Sequence, residues 1–214
     1  MTRAMTRAMT RAMTETWPAV GRLPANPFAT RHTRPGAVPP LDGRGEPLDV
    51  AALADRCLTL PAAALEGPHG HGKTTTLVAL VDHLATRGVP VDLVRLRTAG
   101  DGRRTLAAVL RGEPGAVVCI DGWERISRLA AVVIRLAARW RRVRLVVTTH
   151  RPAGMPVVLR CSTSAGLLAA IVARLPDHGG RIADADVVAA FARHGGDLRE
   201  SLYDLYDRFE QQIR

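Results

Sequence analysis

Gly67-Pro68-His69-Gly70-His71-Gly72-Lys73-Thr74 fits the phosphate-binding loop, or Walker A pattern, G-x-x-x-x-G-K-[ST], at every position. Three glycines allow a tight backbone nest whose N–H groups point inward. That nest and the positive end of the helix that follows suit the β-phosphate of a nucleotide. In this pattern Lys73 is expected to reach the β- and γ-phosphates and the Thr74 hydroxyl to hold Mg²⁺. Gly67, Pro68, His69, Gly70, His71, Gly72, Lys73, Thr74 and Thr75 are therefore the candidate cofactor contacts, with the two histidines as spacers that contribute backbone N–H groups.

Composition supports a specific role for the loop. Of 30 basic residues, Lys73 is the only lysine. Arginine serves wherever charge alone is needed, and lysine persists where a compact ammonium on a thin stem must lie along a phosphate; chance alone would place it here about once in thirty. Downstream, Leu77, Leu80, Val81 and Leu84 recur at helical spacing and Gly88 marks a stop. Upstream, Ala62, Ala63, Ala64 and Leu65 predict a strand made of poor β-formers.

With 214 residues there is room for one α/β domain and a small appendage. No apolar run approaches the roughly 18 residues of a membrane span. Cys57, Cys119 and Cys161 are scattered, which predicts reduced thiols in a cytoplasm and neither a disulfide frame nor a zinc site. The formal charge of +10 leaves nucleic acid open as a partner. Low aromatic content favours arginines on solvated faces, and the cluster at residues 135–144 is read in that way.

The chain opens on a Met-Thr-Arg-Ala repeat in which Met1, Met5, Met9 and Met13 are each a possible start. It lacks a secretory h-region, so export is not expected, and a low-complexity tail or an early-assigned start is favoured over an organellar targeting segment. Seven of the 14 prolines fall in residues 18–47, which predicts an extended or disordered arm over residues 1–47, with turns at Asn26-Pro27-Phe28 and Arg34-Pro35-Gly36. Residues 48–161 are expected to form the core. Asp49 caps a short helix, and further strands are predicted at residues 91–96, 116–121, 143–148 and 156–159. A helix over 126–140 is expected to carry Leu129, Val132, Val133 and Leu136 on one stripe. Such alternation predicts a parallel sheet with helices on both faces. From residue 162 the pattern is helical only, a small lid over 162–214 that ends in a helix opened by Asp197-Leu198-Arg199-Glu200, a capping box.

Asp121, at the end of an apolar strand, is a candidate Mg²⁺ ligand with Thr74; an acid capping the next helix is the plainer alternative. Glu124 is the candidate general base, although Gly122 and Trp123 separate it from Asp121, and it also fits a surface acid. Thr148, Thr149 and His150, at the end of the fourth strand, are candidate sensors of the γ-phosphate, Thr149 and His150 foremost. Arg199 either reaches the γ-phosphate or pairs with a nearby acid. Guanine recognition by an Asn-Lys-x-Asp motif cannot be assembled from one asparagine, Asn26, and one lysine already committed to the loop. Adenine is the expected base.

The order of phosphate loop, apolar strand ending in Asp121, polar strand tip and lid with Gly196-Asp197-Leu198-Arg199 resembles that of AAA+ ATPases. The lid segment Gly196-Asp197-Leu198-Arg199-Glu200-Ser201-Leu202 is similar to the sensor 2 helix of their origin-recognition and loader branch. Asp121-Gly122-Trp123-Glu124 looks more like the STAND or NACHT signalling ATPases, and His150 after Val147-Thr148-Thr149 resembles the switch histidine of ABC ATPases. The whole also looks like a family of short bacterial ATP-binding proteins that begin with an Asn-Pro-Phe arm. These resemblances, over residues 48–214, imply a P-loop NTPase fold and an ATP-binding, ATP-hydrolysing switch with ATP and Mg²⁺ as cofactors and a protein partner. A non-hydrolysing ATP-binding protein and a DNA-associated helper ATPase stay as alternatives; a small-molecule kinase is disfavoured because no substrate-binding insertion stands out.

Overall fold

Five short apolar stretches pair into a single sheet in the computed structural model, which describes residues 25–213. The opening repeat and its candidate starts lie outside the described residues. Strands β1 (Ala62–Glu66), β2 (Val91–Arg95), β3 (Val117–Asp121), β4 (Arg144–Thr149) and β5 (Val157–Arg160) stand in the order β2-β3-β4-β1-β5. Every neighbouring pair is parallel. Helices α1 (Thr30–Thr33) and α2 (Val50–Leu58) precede β1. The crossovers use α3 (Lys73–Thr86), α4 (Gly102–Arg111) and α5 (Arg128–Arg141), and the chain ends with α6 (Ala165–Val172), α7 (Asp184–Arg193) and α8 (Leu198–Ile213). This is an α/β fold with a helical lid, as the alternation of patterns predicts.

Side chains alternate across a strand, and both faces of this sheet are covered. Ala63, Leu65, Val117, Cys119 and Val146 pack under α2 and α3. Ala64, Val118, Ile120, Leu145 and Val147 pack under α4 and α5. The alanines of β1 are weak β-formers, yet the strand sits between β4 and β5 with Ala63 and Ala64 fully buried. Packing from both sides outweighs their propensity. The crossover after β1 runs over one face, and those after β2 and β3 run over the other. Adjacent β1 and β4 therefore flank the point where connections diverge, the usual place for a ligand crevice at the carboxyl ends of parallel strands.

One finding departs from the expected pattern, and another adds to it. On α5, Ile134 and Ala138 face the sheet, whereas Leu129, Val132, Val133 and Leu136 face solvent. The small alanine side of the helix lets it approach the sheet closely, and the bulky stripe is left outside. In the arm, residues 25–47 are tied down. Phe28 is 2% exposed within the lid core, tilted against Phe209 with ring centroids 6.4 Å apart. The Asn26 amide donates to Tyr206 O at 3.1 Å and to Glu210 Oε1 at 2.8 Å, while its own carbonyl accepts from Phe28 N. The arm then passes over α3, where a side chain at Gly36 would meet Val78. Among the described residues no helix is long and apolar enough to cross a membrane.

Truncating Phe28 empties the joint between arm and lid. Phe28→Ala is expected to cost about 3–5 kcal/mol, a fall of roughly 6–20 °C in melting temperature for a domain of this size. Circular dichroism on heating checks it, and an unchanged melt would show that the arm is not part of the folded unit.

Candidate functional site

The loop after β1 turns sharply on two glycines in the left-handed region, Gly70 at φ +70° and Gly72 at φ +77°. Lys73 is then the first residue of α3, so the loop leads directly into a helix N-terminus. A side chain placed on Gly72 would meet nothing within 4 Å. The loop therefore curls around open space, as a phosphate cradle must.

Strand parity assembles the acid end of the site. Asp121 lies on the same sheet face as Cys119, and Thr148 on the same face as Val146; both thus project toward α3. Register aligns their ends, since Ile120 pairs with Val147. The Thr74 hydroxyl in the first turn of α3 lies 3.1 Å from each Asp121 carboxylate oxygen and donates to that carboxylate. The Thr148 hydroxyl donates to Asp121 Oδ1 at 2.6 Å and accepts from Gly122 N at 2.9 Å. A hydroxyl and a carboxylate held side by side at a phosphate cradle are a donor set that suits a hard, oxygen-seeking cation such as Mg²⁺. No cluster of three or more His, Cys, Asp or Glu among the described residues forms a separate metal site.

Lys73 is 7% exposed, and its ammonium donates to Pro68 O and to His150 Nδ1. Burial lowers its pKa from the ordinary lysine value, opposed by Cys161, Glu124 and Asp121. His150 follows β4. Its Nδ1 is 3.1 Å from both Lys73 Nζ and Gly67 O, and its Nε2 is 3.2 Å from Glu124 Oε1. The neutral ring protonated on Nε2 satisfies both charged neighbours, donating to Glu124 and accepting from Lys73. Burial and then the Lys73 charge lower the His150 pKa, with the Glu124 charge opposing them. The His69 ring lies against His150, centroids 3.5 Å apart.

A cavity of about 490 Å³ opens above this cluster. Its floor is the loop and the strand tips, and its walls come from both ends of the chain: Pro35, Val38 and Leu41 of the arm face Leu167, Ile171 and Tyr203 of the lid. Arg199 and Glu124 also line it. The lid meets the loop directly. Asp197 Oδ1 caps α8 by accepting from Arg199 N and Glu200 N, and a side chain on Gly70 would come within 1.9 Å of that same oxygen. The reciprocal half of the expected capping box is not used, because Asp197 N donates to His194 O. The Arg199 side chain is exposed and makes no ion pair among the described residues.

The structure brings Lys73, Thr74, Asp121, Glu124, His150 and Arg199 to one cavity. It does not bring Thr149 there. Opposite in parity to Thr148, Thr149 is buried and its hydroxyl donates to Arg151 O. Thr148 takes that place: the sequence singles out the strand end Thr148-Thr149-His150 but not which threonine faces the site, because a strand buried on both faces shows no alternation from which to read parity. Nor are the loop histidines only spacers. His69 stacks on His150, and the His71 ring stands 3.4 Å from Cys161 O and 3.5 Å from Thr163 Oγ1. Pro68 contributes a carbonyl to Lys73, and Gly67 O stands 3.1 Å from His150 Nδ1. Burial pushes the Cys161 thiol up to about 11, so it stays protonated beside Lys73.

No family model matches the chain, and no curated protein matches it. Among solved structures it is similar to PCH-2 of C. elegans, with 12% identity, a TM-score of 0.40, and coverage of 77% of this chain and 67% of that one. A likeness this distant transfers neither fold nor activity, and the site stands on its own geometry.

Two outcomes follow from the packing. Gly70→Ala forces either the left-handed turn or the Asp197 cap to move; limited proteolysis is expected to cut the lid faster than in wild type, while the sheet keeps its far-ultraviolet signal. Because the folded protein holds His150 neutral, the unfolded chain takes up that proton first as pH falls through the ordinary histidine value of 6.5. Stability then declines with acidification below that pH. Urea midpoints at pH 7.0 and 5.5 are expected to differ less in His150→Asn than in wild type.

Proposed function

We propose that this chain is a Mg²⁺-ATP-binding switch protein of the AAA+ or a related P-loop type that hydrolyses ATP. The observation that carries this reading is the contact between Thr74 and Asp121, 47 positions apart in the chain, at the mouth of a loop whose nearly buried lysine is the only one in the sequence. That pairing is what a Walker A hydroxyl and a Walker B carboxylate require to share one cation. Bound there, Mg²⁺ would neutralise phosphate charge.

The chain's own residues take the remaining roles. Lys73 exchanges its bonds to Pro68 O and His150 for phosphate oxygens. The loop backbone from Gly67 to Thr75 wraps the β-phosphate, and the apolar wall shared by arm and lid receives adenine. Glu124 accepts the proton of the attacking water, with His150 orienting its carboxylate. Arg199 moves toward the γ-phosphate, while Asp197, a like charge beside Gly70, is driven off the loop. The lid position thereby reports the nucleotide state. A second reading, binding without hydrolysis, is favoured by one observation: Glu124 is engaged by His150 and not free.

Lys73→Ala is expected to keep the fold and weaken Mg²⁺-ATP binding at least tenfold, about 1.4 kcal/mol, measured by calorimetry; normal affinity in the folded variant rejects the proposal. Lys73→Arg is expected to be impaired as well, despite its charge. Glu124→Gln is expected to bind ATP normally and lower turnover by about 10²–10⁴; unchanged turnover removes Glu124 as the base, and no measurable turnover in wild type selects the second reading. Arg199→Ala is expected to weaken ATP more than ADP. Equal losses would indicate a structural role in the lid.

A further inference from the structure

The outward stripe of α5 is the largest apolar feature the site leaves unused. Leu129 is 81% exposed, Leu136 62% and Trp140 75%, with Val132 and Val133 about half exposed between them. Isolated exposed apolar residues are ordinary, but five aligned on one helix are not. Their spacing is i, i+3, i+4, i+7 and i+11, the seam that one helix offers another. The stripe runs about 16 Å, three turns. It is roughly as wide as a single partner helix covers; on its Ala130–Ala137 flank α5 packs against α4.

Charge selects the occupant. On the other flank lie Arg128, Arg135 and Arg139, and residues 125–176 contain ten arginines and no aspartate or glutamate. A second copy docking the same stripe against itself would set these arginines against one another with no acid on α5 to pair them. Nucleic acid would leave the leucines and tryptophan without apolar cover. An interfacial membrane helix carries basic residues along both sides of its apolar face; here three border one side, the other flank carries only Arg141, which lies over the Trp140 ring and donates to Gly112 O, and the remaining face is fixed to the sheet through Ile134 and Ala138. The stripe starts at Leu129, four residues after the single turn Trp123–Arg125 that bears Glu124.

We propose that the exposed face of α5 is the docking surface for an acidic amphipathic helix of a protein partner. Leucine- or isoleucine-type side chains of that helix cover Leu129, Val132, Leu136 and Trp140, and glutamates or aspartates along one edge meet Arg128, Arg135 and Arg139. The proposal does not depend on ATP binding or hydrolysis.

The test uses the full chain and a synthetic three-heptad helix with leucines along one stripe and glutamates beside it, followed by fluorescence anisotropy. Saturable binding is expected. Leu136→Glu and Trp140→Ala, both at exposed positions and so expected to leave the urea midpoint unchanged, are expected to weaken it at least tenfold, and replacing the peptide's glutamates by lysines is expected to do the same. No binding, or equal binding by these variants, overturns the proposal. So does a dimer in sedimentation velocity that Leu136→Glu dissociates, or binding to phosphatidylglycerol vesicles that Trp140→Ala abolishes, since either assigns the stripe to another occupant.

Discussion

The Asp121 carboxylate joins three separate parts of the chain. It accepts from Thr74 at the start of α3 and from Thr148 at the end of β4, and it ends β3 itself. Thr148 in turn accepts from Gly122 N, which fixes the turn leading to Glu124. Each bond is modest alone, and hydrogen bonds to a charged group contribute about 1.5–3 kcal/mol. Together they hold the helix N-terminus, two strand tips and the following turn in one arrangement. The loop is positioned by this junction, because Thr74 ties the start of α3 to the end of β3.

A second constraint is that the cavity is closed by the two ends of the chain. Arm and lid share a core through Phe28 and Phe209, and the Asn26 amide reaches α8 across 180 positions of sequence. The wall opposite the phosphate cradle is therefore one unit made from both. Any displacement of α8 moves the arm with it, and a ligand lying between Leu41 and Tyr203 touches both components. Asp197, which caps α8, lies directly against the loop at Gly70, so the lid meets the loop there with no room for a side chain.

Local features of the site were legible in the sequence because their signals are local. The glycine spacing, the lone Lys73, the apolar strand ending in Asp121 and the period of Leu198, Leu202, Leu205 and Phe209 all lie within single elements. The choice between Thr148 and Thr149 was not, since it depends on register between β3 and β4. The arm was read as extended because proline content reports what a segment cannot do; its anchor is a contact with α8, far away in sequence. On α5 the error has a different cause. Hydrophobicity scales rank leucine and valine above alanine, so the bulky stripe was the expected core face, while close packing on the sheet selected the alanine side.

His150 lies at the centre of the charged cluster. It sits between an ammonium and a carboxylate that would otherwise be drawn toward each other across the cavity floor. As a neutral ring it satisfies both, and as a cation it would repel Lys73 while binding Glu124 more tightly. Burial and the Lys73 charge lower its pKa, which favours the neutral ring, and among the described residues no carboxylate lies within ion-pairing distance of Lys73. The Lys73 amino group therefore keeps only neutral acceptors, Pro68 O and His150 Nδ1, and bonds of this kind are weaker than those an ammonium makes to anionic oxygens.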